Sequence, residues 1–184
     1  YMSHPTSFLT YIQAKWEYKL DGDTDWTAAT SSVVDLTYSG KAIADVRATA
    51  SCAPNNFTSI QSASAGNLKY IKDSRTGGTT LSSSADVGSV TFVFDNMTGV
   101  LSSSYTIRDC GFTINIKPKD ATVTIGNQQK AEYGKALTYD LTKMSVSGLV
   151  GGDTIYSLGL SFRRGYGLNA GTHNLYGDKA TNKN

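Results

Sequence analysis

The two cysteines, Cys52 and Cys110, carry the most distinctive side-chain chemistry in this sequence. Cys52 follows Ala50 and Cys110 precedes Phe112 at the two-residue spacing of one strand face, so both thiols should face an apolar core. Two such thiols can form a disulfide in an oxidising compartment. They can equally stay reduced, because a free cysteine packs as a small hydrophobe. Neither arrangement predicts catalysis, since no histidine lies near either cysteine in the sequence.

Three aspartates at alternate positions, Asp21, Asp23 and Asp25, are similar to the start of a calcium-binding loop. The EF-hand pattern requires a glycine at the sixth position of the loop and a carboxylate at the twelfth. Trp26 and Ser32 occupy those positions here, so the pattern fails. We interpret the stretch as a solvated turn, with an irregular calcium site as the alternative, and assign no metal ligand.

Nothing in the sequence predicts a catalytic centre or a cofactor. The two histidines, His4 and His173, belong to no H-E-x-x-H metal motif, and the sequence contains no G-x-S-x-G nucleophile motif. We therefore expect a protein that is not an enzyme and that uses no cofactor.

Aromatic side chains are the remaining candidates for ligand contact, since ring faces suit sugar stacking. Trp16 lies in the apolar phase of an alternating stretch and is expected in the core. Trp26, Tyr166 and Tyr176 are expected at the surface and are the candidate ligand contacts. Residues 163–166 (Arg-Arg-Gly-Tyr) are predicted to form a basic loop tip.

Composition excludes two classes of partner. Charged residues make up 17% of the 184 residues, and the formal net charge is +2 with no basic run, so we expect no nucleic acid partner. No apolar run reaches the length of about 20 residues that a transmembrane helix needs, so we expect no membrane insertion in this segment.

Alternating hydrophobicity predicts a chain built of β-strands. From Ile12 to Leu20 every second residue is apolar, which is the pattern of a strand with one buried face. The acidic turn and Trp26 follow, so residues 11–30 are predicted to form a hairpin. Short strands with turn residues between them and no helical period are typical of a β-sandwich. Further strands are predicted at residues 33–36, 43–51, 68–71, 90–94, 105–107 and 112–116, with an exposed hairpin tip at 75–84.

Pro118 marks the predicted boundary between two modules. A proline cannot donate to a strand ladder, and the charged cluster at residues 117–120 interrupts the apolar alternation. An internal repeat supports the division, because residues 36–43 (LTYSGKAI) parallel residues 131–137 (AEYGKAL). The predicted domains are therefore residues 1–117 and 118–184.

The second module contains four phrases in a fixed order, at residues 133–137, 146–153, 169–172 and 180–184. In this order they resemble the YGX-type MBG domain, an immunoglobulin-like β module that is repeated in bacterial surface proteins. The first module carries an additional Ser39 between the tyrosine and the glycine of the first phrase, and it resembles an immunoglobulin-like bacterial module more broadly. The resemblance implies an all-β fold of two tandem immunoglobulin-like β-sandwich modules.

The resemblance also implies a role outside the cell. The expected protein is a non-enzymatic segment of a bacterial cell-surface, cell-wall or secreted protein that acts in adhesion or as a stalk or spacer. Its expected partners are adjacent repeat modules of the same chain and a host or matrix protein or a glycan. An oxidising compartment and the immunoglobulin arrangement favour a disulfide between Cys52 and Cys110. The alternative is a carbohydrate-binding module of an extracellular enzyme, which needs an exposed row of aromatic side chains.

The end of the second module carries one further expectation. Members of the family continue past Asn182-Lys183-Asn184 with a strand that closes the sandwich, and residues 112–116 supply such a strand to the first module. We therefore expect the second module to lack its last strand or to receive it from elsewhere. An unfilled edge of this kind invites strand addition from another chain.

Overall fold

The computed structural model describes residues 11–52, 61–64, 68–94, 106–107, 111–127, 139–165 and 171–184. Within these ranges the regular structure consists of β-strands and two 3-10 turns, at Leu141–Lys143 and Ile155–Leu158, with no α-helix, so the all-β prediction is confirmed. No helix of the described residues is long and apolar enough to cross a membrane. The strands are β1 Tyr11–Leu20, β2 Thr27–Ala28, β3 Val33–Thr37, β4 Ile43–Cys52, β5 Gln61–Ser64, β6 Leu68–Asp73, β7 Gly88–Phe94, β8 Thr106–Ile107, β9 Gly111–Lys117, β10 Thr122–Thr124, β11 Ser145–Ser147, β12 Leu160–Arg164 and β13 Leu175–Ala180.

The chain divides into two compact units, Tyr1–Lys117 (unit 1) and Pro118–Asn184 (unit 2). Pro118 directly follows the last residue of β9. Because proline has no backbone N–H and fixes its own φ angle, it cannot continue the ladder that β9 makes with its neighbours.

The first sheet of unit 1, sheet A, has the order β2-β1-β4-β5. β1 and β4 are antiparallel along most of their length, from the pair Ile12 and Cys52 to the pair Leu20 and Ile43. The opposite edge of β1 is shared by β2 at one end and by a short parallel pairing with β8 at the other. The predicted hairpin at residues 11–30 is confirmed, since β1 and β2 pair antiparallel.

The second sheet of unit 1, sheet B, has the order β3-β9-β7-β6. β9 is a central strand that pairs antiparallel with β7 and parallel with β3. The parallel ladder runs in register from the pair Val33 and Thr113 to the pair Thr37 and Lys117. Thus β9, the last strand of unit 1 along the chain, is hydrogen-bonded to a neighbouring strand on both edges.

The core of unit 1 lies between sheets A and B, which gives the unit a sandwich-like architecture. The indole of Trp16 on β1 stacks on the ring of Phe112 on β9, with centroids 5.2 Å apart, and Phe112 in turn lies 6.2 Å from Phe92 on β7. The expected burial of Trp16 is therefore confirmed. Complete burial of a large apolar side chain stabilises a fold by about 1.5–3 kcal/mol. The other apolar residues of unit 1 that are completely enclosed in the described structure are Val46, Ala48, Val90 and Ile114.

Unit 2 contains two separate two-stranded ribbons, β10 with β11 and β12 with β13, both antiparallel. Met144 and Ile155 are the buried apolar residues among its described side chains. The side chains that strand alternation turns inward are only partly covered. They are Val123, Val146, Leu160, Phe162 and Leu175.

Candidate functional site

A buried ion pair between Asp73 and Arg75 stands at the turn between β6 and β7. The Arg75 side chain is 4% exposed and the Asp73 side chain 0%. Arg75 Nε donates to Asp73 Oδ1 at 2.9 Å and Nη2 donates to Oδ2 at 2.8 Å, so the guanidinium grips the carboxylate with two parallel bonds. The charges are therefore both paired and enclosed.

The loop between β6 and β7 is hydrogen-bonded to both members of this ion pair. The backbone N–H of Ser82 donates to Asp73 Oδ2 at 3.1 Å, and Arg75 Nη1 donates to the carbonyl of Ser84 at 2.5 Å. Gly88, at φ 148°, closes the loop, and a Cβ there would lie 2.5 Å from Arg75 Cγ. Residues 75–84 were predicted to be an exposed hairpin tip, and this is wrong for Arg75. The Arg75 side chain is buried because it pairs with the buried carboxylate of Asp73, although the sequence around it is polar.

The arrangement makes Asp73 a structural group. Burial raises the pKa of Asp73, but the hydrogen bonds from Arg75 and Ser82 outweigh that effect and hold the pKa below its usual range. An ionised carboxylate has about four acceptor positions, and the backbone N–H of Arg75 uses the one that the guanidinium and Ser82 leave. All four acceptor positions of Asp73 are therefore occupied, and none remains for general base catalysis. The ion pair with Arg75 stabilises the loop between β6 and β7.

Trp26, a predicted ligand contact, is half-buried on the outer side of sheet A. Lys19 Nζ lies 5.0 Å and the guanidinium carbon of Arg47 lies 4.3 Å from the centre of its ring. The register of β1 against β4 places Glu17 opposite Arg47, and the two side chains form an ion pair. Such cation–π contacts contribute about 0.5–1 kcal/mol each at exposed sites. A sugar that stacked on the same part of the ring would have to displace these cations.

Tyr176, another predicted contact, lies on β13 and is 42% exposed. The guanidinium carbon of Arg163 is 5.0 Å from its ring centre, and Asn174 Nδ2 donates to its hydroxyl at 3.1 Å. Arg163 and Arg164 belong to β12, so the prediction of a loop tip is wrong for these two residues, since they continue the ladder with β13. Tyr166 lies outside the described residues.

Tyr156 is a surface aromatic that the sequence did not single out. It stands in the 3-10 turn Ile155–Leu158 and is 64% exposed. Ile155, its neighbour, points inward, so the turn offers one residue to the core and the next to solvent. No element was predicted for residues 154–156, so the exposure of Tyr156 in this turn was not predicted.

The remaining predicted sites are located as follows. Cys52 ends β4, and Cys110 lies outside the described residues, so their disulfide stays a prediction. Asp23 accepts a hydrogen bond from the backbone of Leu20 at 3.0 Å and lies 4.0 Å from Lys41, which fits a closed surface turn. No group of three or more His, Cys, Asp or Glu that could hold a metal occurs in the described part of the chain.

Comparison of the chain with protein-family models, with curated proteins and with solved structures finds no match.

Proposed function

We propose that the chain is a non-enzymatic segment of a bacterial cell-surface or secreted protein, and that it acts as a stalk or in adhesion. In this proposal units 1 and 2 are tandem immunoglobulin-like sandwiches, the second of the YGX-type MBG kind, and the protein works outside the cell. The resemblance of the repeated phrases supports the family, and the two compact β units support a tandem array.

The position of β9 is the observation that carries the stalk proposal. Tension on the chain after Lys117 acts along β9, which is the last strand of unit 1 and a central strand of sheet B. Withdrawal of β9 requires the ladders with β3 and β7 to shear together, because β9 is bonded on both edges. An edge strand would instead detach along one ladder.

Side chains reinforce both ladders on the outer face of sheet B. Lys117 Nζ lies 2.8 Å from Asp35 Oδ2, and Asn115 Nδ2 donates to Asp35 Oδ1 at 3.0 Å, which joins β9 to β3. The hydroxyls of Thr91 and Thr113 are 3.0 Å apart and join β9 to β7. These side-chain contacts add to the backbone hydrogen bonds that would resist the withdrawal of β9 under tension.

Single-molecule force spectroscopy, with handles at both ends of the chain, tests the stalk proposal. Val34→Pro removes an N–H that strand alternation directs at β9, as the bond from the Tyr38 N–H to the Lys117 carbonyl shows. Val33→Pro is the matched control, because its N–H points away from β9 and donates to Ser31 Oγ. We expect V34P to lower the unfolding force of unit 1 much more than V33P. Equal unfolding forces for the parent and both variants would reject a load-bearing role.

A carbohydrate-binding module is the second candidate, and the exposure of Tyr156 and Tyr176 favours it. Both rings are exposed on unit 2, and ring faces suit sugar stacking. Arg163 lies over one face of the Tyr176 ring, so a sugar that stacked there without displacing Arg163 would use the opposite face. An array of glycans and matrix proteins, probed with the parent chain, Y156A and Y176A, separates the two candidates. Glycan signals that both variants abolish would support the module, and signals for matrix proteins alone would support adhesion.

A further inference from the structure

One face of the β12–β13 ribbon carries a group of exposed polar side chains. Arg163 on β12 lies directly opposite Tyr176 on β13, and both side chains are exposed. Asn174 and Asp178 flank Tyr176 at two-residue spacing along the chain, and both are exposed as well. These four residues are called the ribbon cluster below. The stalk proposal uses none of them.

Contacts between side chains bring the ribbon cluster together. The guanidinium carbon of Arg163 lies 5.0 Å from the centre of the Tyr176 ring, and Asn174 Nδ2 donates to the Tyr176 hydroxyl at 3.1 Å. At the other end of the cluster, Ser161 Oγ donates to Asp178 Oδ2 at 3.5 Å. Ser161 and Arg163 are two residues apart on β12 and share one face of the ribbon. Asp178 therefore lies on the same face as Arg163.

A β-bulge determines the position of Asp178. Ser161 pairs with Lys179 whereas Phe162 pairs with Gly177, so Asp178 is an additional residue of β13 that is opposite no residue of β12. Bulges redirect the side chain of the additional residue and are over-represented beside functional sites. Here the bulge places the Asp178 carboxylate beside the Ser161 hydroxyl and leaves it exposed.

The hydrogen-bonding groups of the ribbon cluster are of two kinds. Arg163 carries N–H donors and no acceptor, and its contact with the Tyr176 ring engages its positive charge rather than these donors. The bond between Asn174 and Tyr176 uses one amide N–H and the hydroxyl oxygen, so the second amide N–H and the hydroxyl proton add donors. A carboxylate such as Asp178 accepts hydrogen bonds only. A fitting ligand brings a negative group to Arg163 and O–H donors to Asp178.

The charge of unit 2 favours an anionic ligand. Unit 2 contains eight Lys and Arg residues against five Asp and Glu residues, a formal charge of +3, whereas unit 1 contains nine against ten. The ion pairs formed by the described residues do not include Arg163. The field of unit 2 therefore attracts anions, and the charge of Arg163 is available to pair with one.

The size of the ribbon cluster matches a sugar acid. Two residues of a strand extend over about 7 Å, which is close to the span of one pyranose ring with its substituents. A sugar acid carries a carboxylate and several hydroxyls on one such ring. An acidic peptide carries carboxylates without those hydroxyls, and it would bring further negative charge against Asp178.

We propose that the ribbon cluster binds a carboxylated sugar, with the sugar carboxylate on Arg163 and the sugar hydroxyls at Asn174 and Asp178. Tyr176 is a positioning residue in this site, because its ring holds the guanidinium of Arg163 through the cation–π contact. The inference rests on the sugar-binding candidate described above and deepens it, since it names the chemical class of the sugar and the residues that select it.

Oligogalacturonate and its methyl ester test the proposal, because the ester keeps the ring and its secondary hydroxyls but lacks the negative charge. Isothermal titration calorimetry measures the affinity of the whole chain for each. Arg163→Gln removes the charge of the cluster, and Arg164→Gln is the matched control, since alternation along β12 turns this exposed arginine to the other face. We expect the parent and R164Q to prefer the acid by about tenfold or more, and R163Q to lose that preference.

Two substitutions of Tyr176 test the positioning role. Tyr176→Phe keeps the ring beside Arg163 and should keep the preference for the acid, whereas Tyr176→Leu should lower it. An unchanged thermal transition of unit 2 in both variants separates this effect from a loss of folding. Sialyllactose and lactose form a second pair of acidic and neutral sugars. A preference for sialyllactose, lost in R163Q, would support the site and assign it to a terminal sugar acid instead of a hexuronate chain.

Four outcomes would overturn the proposal. Equal affinities for the acid and the ester would refute the carboxylate and leave the sugar-binding candidate standing. Equal losses in R163Q and R164Q would mean that net charge alone attracts the ligand. Polyglutamate that binds as tightly, with the same dependence on Arg163, would assign the face to an acidic protein. No binding of any sugar would reject this inference together with the sugar-binding candidate, while the force measurements on the stalk would be unaffected.

Discussion

Units 1 and 2 are both built of β-strands but are stabilised in different ways. Unit 1 has two sheets whose facing side chains enclose a stack of aromatic rings, with Phe92 and Phe112 at its centre. In the described part of unit 2, the buried apolar residues are Met144 and Ile155. Within the described residues, the contrast teaches that complete burial of apolar side chains occurs where two sheets face each other, as in unit 1, and that the two separate ribbons of unit 2 cover theirs only in part.

Polar turns supply several of the hydrogen bonds in the described part of unit 2. Asp140 Oδ1 accepts hydrogen bonds from both the backbone and the hydroxyl of Thr142, and Ser157 Oγ accepts one from the backbone of Thr154. Each such bond contributes a net of only about 0.5–1.5 kcal/mol, because water competes for the same groups. Unit 2 should therefore be the less stable unit.

The same substitution in the two cores gives the largest expected difference. Ile114 is fully buried between the sheets of unit 1, and Ile155 is buried at a surface turn of unit 2. Removal of a buried isoleucine side chain to alanine costs about 2–5 kcal/mol, with the higher values where the site cannot collapse. We expect I114A near the upper limit and I155A near the lower limit. Denaturant unfolding monitored by near-ultraviolet circular dichroism measures both, and equal losses would contradict the comparison.

The buried ion pair of unit 1 should come next in size. Asp73→Asn leaves the Arg75 charge enclosed without its partner, which typically costs about 3–5 kcal/mol. Asp23→Asn, in the solvated turn, is the matched control and should cost little. If D73N and D23N unfold at the same denaturant concentration, the pair contributes nothing to unit 1.

Acid should weaken unit 1 through the same carboxylate. The pKa of Asp73 is lowered in the folded state, so its contribution is fully present above the unfolded value near 3.8 and is lost as the pH falls through the lower folded pKa. The pKa of Asp35 is lowered by its hydrogen bonds to Lys117 and Asn115 and acts in the same direction. We expect the melting temperature of unit 1 to fall below about pH 4, and D73N to reduce this dependence without abolishing it.

A smaller effect is expected where glycine makes room for the Arg75 side chain. Gly88→Ala places a Cβ against Arg75 Cγ and Ser74 Oγ, which should cost about 1–3 kcal/mol as overpacking, in addition to strain at φ 148°. Gly152→Ala in unit 2 is the control, since at φ 81° it is strained but has nothing within 4 Å. Thermal melts of both variants measure the difference, and a smaller loss for G88A than for G152A would contradict the packing around Arg75.

The smallest expected effect is on the outer face of sheet A. Glu17→Gln removes one charge of the ion pair with Arg47, and a partly exposed pair of this kind contributes about 0.2–1 kcal/mol. The loss should diminish at high salt, because mobile ions screen the pair in the parent protein. If E17Q lowered the free energy of unfolding by much more than this, or by an amount independent of salt, the pair of Glu17 and Arg47 would behave like the buried pair of Asp73 and Arg75.

Sequence periodicity predicted the strands of unit 1 well but not their order. The alternation around Trp16 and Phe92 reports which side of a strand is apolar, and both side chains are indeed buried. Alternation carries no information about which strands are neighbours, so the parallel pairing of β3 with β9 was not predicted. The second module was predicted to start at residues 121–125, which contain β10, but the pairing of β10 with β11 was not predicted, since three residues of alternation are too short a signal.

The sites were harder to predict than the strands. Tyr176 is exposed as expected, but the contacts of Trp26 with Lys19 and Arg47 depend on the register of β1 against β4. The burial of Arg75 depends on an aspartate two residues away and on carbonyls from a folded loop. Local composition cannot reveal either arrangement, because both are created by tertiary structure.

The central position of β9 also determines when unit 1 can fold during synthesis. Its ladder joins residues 80 positions apart, as in the bond between Asn115 and Asp35, so β3 must wait for β9 to be made. At about 5–20 residues per second, this delay is about 4–16 s, during which sheet B lacks its middle strand. Contacts of such long range slow folding to about milliseconds to seconds once the chain is complete. The nascent unit would therefore expose its apolar strands for most of its synthesis, and chaperones could bind them during that interval.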